Sequence, residues 1–148
     1  VGEETTGRGS WFSANMVEPI CAIALDVGSS TDVRYRDNFT HETALGKGPI
    51  MTIASNANPI IYEKLKALAI KLNIPLQYSV EISKTYTDFD TIYKMNKGIP
   101  SELISIPSRY MHSSVEVCSL DDVKYIIDLL VEFIVSLDEN TNFDPFKE

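Results

Sequence analysis

Two cysteines, two histidines and one tryptophan are all that this 148-residue chain carries of those types. So little cysteine excludes a disulfide-stapled scaffold, and a chain of this length buries enough surface to fold without staples. Basic residues are also few: 13 Lys and Arg stand against 21 Asp and Glu, for a net charge of −8. That balance argues against nucleic acid as a partner, because such a partner calls for a basic stripe. No apolar run approaches the roughly 20 residues of a membrane-spanning helix, so no membrane partner is expected. The sequence lacks a Walker phosphate loop, a G-x-G-x-x-G after a strand, a G-x-S-x-G and a C-x-x-C. Gly46-Lys47-Gly48-Pro49 has the glycines and the lysine without the Walker spacing, and it reads as a loop. The opening VGEETTGRGS has neither Met nor the basic and apolar regions of a leader, so an upstream segment is expected to be missing.

What is present is ordinary globular material, with 44% hydrophobic and 23% charged residues, which argues against disorder and coiled coil. Cys21 and Cys118 each sit in an apolar run and read as buried free thiols of a reducing, cytoplasmic setting. Residues 9–17 read as a short helix that Pro19 prevents from continuing. Residues 21–27 are a continuous apolar run ending in an acid, the pattern of a buried strand. Residues 31–48 read as loop and 50–55 as a second strand. Asn58 is an expected N-cap with Pro59 at the first helical position, and Ile61, Leu65, Leu68 and Leu72 mark the apolar face of a helix that Asn73 ends. Residues 76–82 alternate as a strand, 87–96 read as a helix with an acidic first turn, and 103–106 as a strand. Ser119-x-x-Asp122 resembles a capping box, and Val123, Ile126, Ile127, Leu130, Phe133, Ile134 and Leu137 form one stripe behind it. Alternating strands and helices predict a three-layer α/β/α domain around a largely parallel sheet.

Sites in such sheets gather at the carboxyl ends of strands, which directs attention to the residues after Leu25 and Ile106. Asp26 ends an apolar strand, where an acid costs desolvation unless it is paired, caps a loop or binds a cation. His112 follows the strand 103–106 within a polar turn and suits either a structural or a ligand role, whereas His41 sits in a polar loop and reads as solvated. Glu3-Glu4 is an adjacent acidic pair: a solvated pair, or a divided pair in which one carboxylate binds a metal and the other takes a proton from water.

Six stretches carry a resemblance, in order: EETTGRGS (3–10), AIALDV (22–27), LGKGPI (45–50), Thr87-Asp88, GIPSELISIPSRYMHSSVEV (98–117) and LDDV (120–123). They resemble the glutamyl-aminopeptidase and endoglucanase-M-like, TET-type family of two-metal aminopeptidases. The run IPSRYMHSSVEV is the most specific of them. The resemblance implies a zinc-aminopeptidase-type α/β/α domain and two divalent metal ions, zinc or cobalt. It implies Glu3 as the catalytic base, Glu4 and His112 as ligands of one metal, and Asp26 as a ligand of the other. Peptide is the implied substrate, and a homo-oligomer the implied state of the complete protein.

Some positions depart from the family pattern. E-E-V-G-L-R-G-A reads E-E-T-T-G-R-G-S here, H-S-P-V-E reads H-S-S-V-E from His112, and G-T-D-A reads Tyr86-Thr87-Asp88-Phe89, which alters the substrate pocket. The family's H-x-D histidine and bridging aspartate have no counterpart; both lie upstream in the family, as does an inserted β domain. Residues 1–148 are therefore expected to be the C-terminal part of a catalytic domain, with little or no activity alone and with an uncovered sheet edge that invites self-association. A glycoside hydrolase of endoglucanase type and a non-catalytic remnant are the competing readings. Release of amino acids rather than reducing sugar separates the first of these from a peptidase.

Overall fold

The computed structural model describes residues 1–33 and 41–147. Its elements are α1 (Arg8–Val17), β1 (Ala22–Ser29), β2 (Ile50–Ala54), α2 (Pro59–Leu72), β3 (Gln77–Glu81), α3 (Phe89–Ile92), β4 (Ser101–Arg109), β5 (Val117–Cys118) and α4 (Leu120–Val135). The expected loop 31–48 lies partly outside the described residues.

The sheet order is β1-β4-β2-β3, with β5 paired to β4. β1–β4 and β2–β3 are parallel, while β2–β4 and β4–β5 are antiparallel. The sheet is thus mixed, a correction to the largely parallel expectation. Strand–helix–strand alternation fixes the direction of strands joined by one crossover helix, here β2-α2-β3. β4 instead enters between β1 and β2, and nothing in the pattern sets its direction. β4 is also longer than expected, running through Pro107. Its odd-numbered residues turn their backbone groups toward β2 and β5, and Pro107 falls between those two pairings, where no ladder bond needs its missing N–H.

Two helices cover each face. On one, Met51 and Ile104 meet Ile61, Leu65, Ala69, Ile126, Leu129 and Phe133 of α2 and α4. On the other, Ala24 and Leu103 pack on Phe89 of α3, against which α1 also rests. α2 forms as its sequence requires. The Asn58 side chain accepts from Ile60 N and Ile61 N, Pro59 occupies the first helical position, and Asn73 closes the helix in the left-handed region. Lys71 of α2 reaches Glu132 of α4 at 2.5 Å.

Four other expectations need correction. The helix expected over 87–96 is only α3, because Asp90 turns back to accept the N–H groups of Thr85 and Tyr86 and Asn96 adopts a φ of 53°. Along α4 the buried positions are Asp122, Ile126, Leu129 and Phe133, which leaves Ile127 and Ile134 of the expected stripe exposed. Ser119 caps α4, but Asp122 does not complete a capping box. Its buried carboxylate accepts Gly46 N at 2.7 Å and Gly48 N at 2.8 Å, tying the Gly46-Lys47-Gly48 loop to the helix. Cys118 is exposed on β5, where the two-residue strand buries nothing, while Cys21 is half-buried; both thiols are free.

Gly48 has a φ of +92°, and a Cβ there would meet Pro75 O at 1.9 Å, so only glycine closes this loop. Replacing Asp122 with Ala strands the buried Gly48 N–H, while the exposed Gly46 N–H can turn to water, and is expected to lower unfolding stability by about 2 kcal/mol in urea titration. A loss below about 1 kcal/mol would show that the loop is not held this way.

Glu102 is fully buried on the α2 side of β4, and its Oε2 has no hydrogen-bond partner among the described residues. Burial raises its carboxyl to about 8, against the partial relief of the Leu103 N–H. The folded state therefore holds a proton that the unfolded chain releases above 4.5. Stability should fall as pH rises through the window from 4.5 to about 8, by up to about 1.4 kcal/mol per pH unit. Glu102→Gln should flatten that slope; an unchanged slope in the variant would contradict the assignment.

Candidate functional site

β1 and β4 run parallel in register from Ala22↔Ser101 to Ser29↔Ser108, so the chain leaves both strands at one end of the sheet. Asp26 lies opposite Ser105, three residues short of that end, so β1 runs on past the acid expected to close it. Beyond Arg109 the chain turns tightly, with Tyr110 and His112 in the left-handed region at φ 60° and 62°. That conformation costs a non-glycine residue about 1 kcal/mol and needs a holder. Glu116 supplies it by accepting His112 N at 2.9 Å, while its other oxygen lies 3.5 Å from Ser108 Oγ. Arg109 points elsewhere: its Nε donates to Asp32 at 2.8 Å and its Nη2 completes a fork. That guanidinium holds the Asp32 carboxyl down at about 2.

Glu3 and Glu4 sit in a turn rather than at a strand end. The Gly2 carbonyl accepts Thr5 N, Thr6 N and Gly7 N at 3.3, 2.9 and 2.9 Å, winding the chain into α1. Gly7 has a φ of 59°, and a Cβ on it would lie 2.5 Å from Thr91 Oγ1. The turn delivers Glu4 to the β4–β5 turn, where its Oε1 stands 3.7 Å from His112 Nε2. Both side chains are exposed, whereas Glu3 and Asp26 are half-buried.

Burial is the largest influence raising the Glu3 carboxyl, followed by the charges of Asp26, Glu4 and Asp88, while His112 opposes them. Asp26 is raised mainly by burial, against the Val27 N–H at 2.7 Å, and further by Asp88 and Glu4. The sequence residues Glu3, Glu4, Asp26 and His112 thus lie within electrostatic reach of one another. Asp88 joins them and was not assigned a place in the site from sequence; the Thr87-Asp88 pair was its only signal. Ser10 Oγ donates to Asp88 Oδ1 at 2.7 Å, joining α1 to the start of α3.

The carboxylates repel one another around the imidazole, and a cation would relieve that. Carboxylate oxygen and imidazole nitrogen suit a divalent transition ion. Two ligands on a tetrahedral zinc stand roughly 3.4 Å apart, close to the Glu4–His112 spacing of 3.7 Å. The set fits but is partial: among the described residues no three His, Cys, Asp or Glu side chains are close enough to hold a metal together.

A cavity of about 180 Å³ opens beside these groups, and Val27, Thr87 and Met111 in its wall are chain neighbours of Asp26, Asp88 and His112. His41, expected in solvent, is half-buried and lines it. A larger concavity of about 960 Å³ lies at the opposite end of β4, around Ser101 and Phe143, and takes no part.

The glutamyl aminopeptidase (M42) family model matches residues 1–129. A lysyl aminopeptidase of Pyrococcus furiosus is 34% identical over 129 residues, which are 87% of this chain and 37% of that protein. The crystal structure of a TET aminopeptidase from a marine sediment thaumarchaeon superposes with a TM-score of 0.81 at 33% identity, covering 90% of this chain and 38% of that one. The Pyrococcus horikoshii TET1 peptidase, which assembles into a tetrahedron or a large octahedral shell, gives 0.70 at 26% identity, covering 93% and 39%. The chain therefore spans about two fifths of the length of these relatives. With the family model matched over most of its length and its acids and histidine grouped as described, the chain belongs to the M42 glutamyl aminopeptidase family.

Proposed function

We propose that the protein is a metal-dependent aminopeptidase that releases single residues from peptide N-termini, and that residues 1–148 are the C-terminal part of its catalytic domain. The observation that carries this reading is the approach of Glu4 to His112, far apart in sequence, to 3.7 Å. Glu4 and His112 would hold one divalent ion and Asp26 the other, zinc or cobalt, and the ions would supply Lewis-acid activation of the water and of the scissile carbonyl.

Glu3 is the general base. Its half-buried position and the charges of Asp26, Glu4 and Asp88 raise its proton affinity, which suits a group that must accept a proton from water and pass it to the leaving amine. Asp88, held by Ser10, adds negative charge where the free α-ammonium of a peptide would lie. Glu116 acts one step back, fixing the left-handed turn that aims His112. Adjacent carboxylates with separate partners suit this division of labour better than a glycosidase pair, whose members must flank a bond.

The complete protein is inferred to be a homo-oligomer. Exposed Trp11, Phe12, Met16 and Val17 on α1 and the place of β1 at one edge of the sheet support this, together with the shells that the P. horikoshii relative forms. Among the described residues no helix is long and apolar enough to cross a membrane, and two free thiols support a reducing, cytoplasmic setting.

The metal-loaded full-length enzyme is expected to release amino acids from short peptides and no reducing sugar from cellulose. Glu3→Gln should lower kcat by about 10²- to 10⁴-fold with metal content unchanged. The 148 residues alone, with a partial ligand set, should show little or no turnover. Sugar release without amino-acid release would overturn the aminopeptidase reading, and metal-dependent turnover by the 148 residues alone would overturn the claim of a partial site.

A further inference from the structure

We propose that Arg109 and Asp32 are positioning residues for His112: their fork ties the end of β4 to the segment that leaves β1, and so sets where the turn carrying His112 stands relative to Asp26. The inference rests on the aminopeptidase reading, in which His112 and Asp26 are metal ligands. It goes beyond that reading by assigning the site a support from two residues that touch neither metal nor substrate.

The need for a tie follows from where the ladder stops. The β1–β4 register ends at Ser29↔Ser108, and Ser30 N donates to Ser108 O at 2.8 Å just past it. Arg109 is the last residue of β4. The turn beyond it is held by its own bonds, from Ser113 N to Tyr110 O at 3.1 Å and from His112 N to Glu116 at 2.9 Å. β5 adds the pairs Ser108↔Cys118 and Arg109↔Val117, both to β4 itself. None of these contacts refers the turn to β1, which carries Asp26. Past Ser30, the next polar tie between the two segments among the described residues is the Arg109–Asp32 fork.

The anchor is itself fastened. Asp32 accepts from Ser30 Oγ, and from Leu45 N at 3.3 Å. Thr31 N donates to Thr43 O, Thr43 N to Thr31 Oγ1 and Thr43 Oγ1 to Ser29 O, each at 2.9 Å. Ser30, Thr31 and Thr43 are buried, so Asp32 stands beside a closed and buried neck. The guanidinium contributes direction. Two parallel bonds to one carboxylate fix an angle as well as a distance, which a single ammonium does not. The fork adds little to stability, because its side chains are 35% and 25% exposed. Its consequence is the placement of His112, and a ligand that is loosely placed binds metal weakly.

The first readout is zinc affinity of the full-length protein, measured by competition with a chromophoric chelator. Arg109→Lys, which keeps the charge and loses the fork, should weaken zinc binding by about 10- to 100-fold while the urea midpoint stays in place. Asp32→Asn should do the same. Lys71→Met removes an exposed ion pair between α2 and α4 and should leave zinc affinity unchanged. Arg109→Lys affinity within about twofold of wild type overturns the inference, as does a loss that Lys71→Met shares or that comes with an equally large loss of stability. Should Asp32→Asn fail to fold, Arg109→Lys decides alone, since it leaves the bonds of Asp32 to Ser30 and Leu45 intact. Should the wild-type protein bind no zinc, the metal reading fails, and amide hydrogen exchange over residues 110–116 decides the tie separately. Exchange there about tenfold faster in Arg109→Lys than in wild type supports the inference, and equal exchange overturns it.

Discussion

The parallel ladder between β1 and β4 is the constraint on which the rest of the molecule depends. Eight register pairs join two strands far apart in sequence. Through them, an acid near the end of β1 and a histidine just past the end of β4 meet at one edge of the sheet. The apolar character of both strands drives this pairing, with Ile104 and Leu103 each buried against a different helical layer. Once the ladder is set, α1 packs on α3 and brings the Glu3-Glu4 turn to the same edge. The β4–β5 turn then completes the arrangement, at the expense of two left-handed non-glycine residues. Strain of this kind persists only where surrounding contacts over-determine it, and Glu116 provides such a contact.

Polar groups elsewhere divide into those that fasten the fold and those that the fold leaves uncomfortable. Asp122 and Asp32 are satisfied, the first by two loop amides and the second by the Arg109 fork. Glu3, Asp26, Glu81 and Glu102 are all raised, chiefly by burial. Glu3 and Asp26 belong to the candidate site, and Glu81 lines the cavity beside it from the last position of β3. Glu102 lies near the start of β4, where one carboxyl oxygen accepts the Leu103 N–H and the other, Oε2, has no partner among the described residues.

Much of this was legible in the sequence where a residue type admits one local solution. Asn58-Pro59 and Asn73 marked the ends of α2, and Gly46 to Pro49 marked a loop, because N-caps, first-turn prolines and left-handed stops have few alternatives. Asp26 and His112 were legible as strand-end candidates. The rest turned on long-range partners. The 87–96 stretch has helical periodicity, yet Asp90 is drawn back to Thr85 and Tyr86, and no local pattern announces that. Asp122 looked like part of a capping box and serves a loop 74 residues away instead. Cys118 looked buried because apolar neighbours suggest a core, but its strand is a short one at the margin of the sheet. His41 looked solvated because the fold that brings it over the cavity is not written in its neighbours. Glu81 and Asp88 escaped for the same reason: each is one acid among many until the sheet register places it.

The central claim is that Glu4 and His112 form a metal-binding pair at the end of the β1–β4 ladder. Anomalous diffraction from crystals of the full-length protein soaked in zinc tests it most directly. The account predicts an anomalous peak about 2.1 Å from both a Glu4 carboxylate oxygen and His112 Nε2. A peak bound elsewhere, with Glu4 and His112 left unligated, would contradict it.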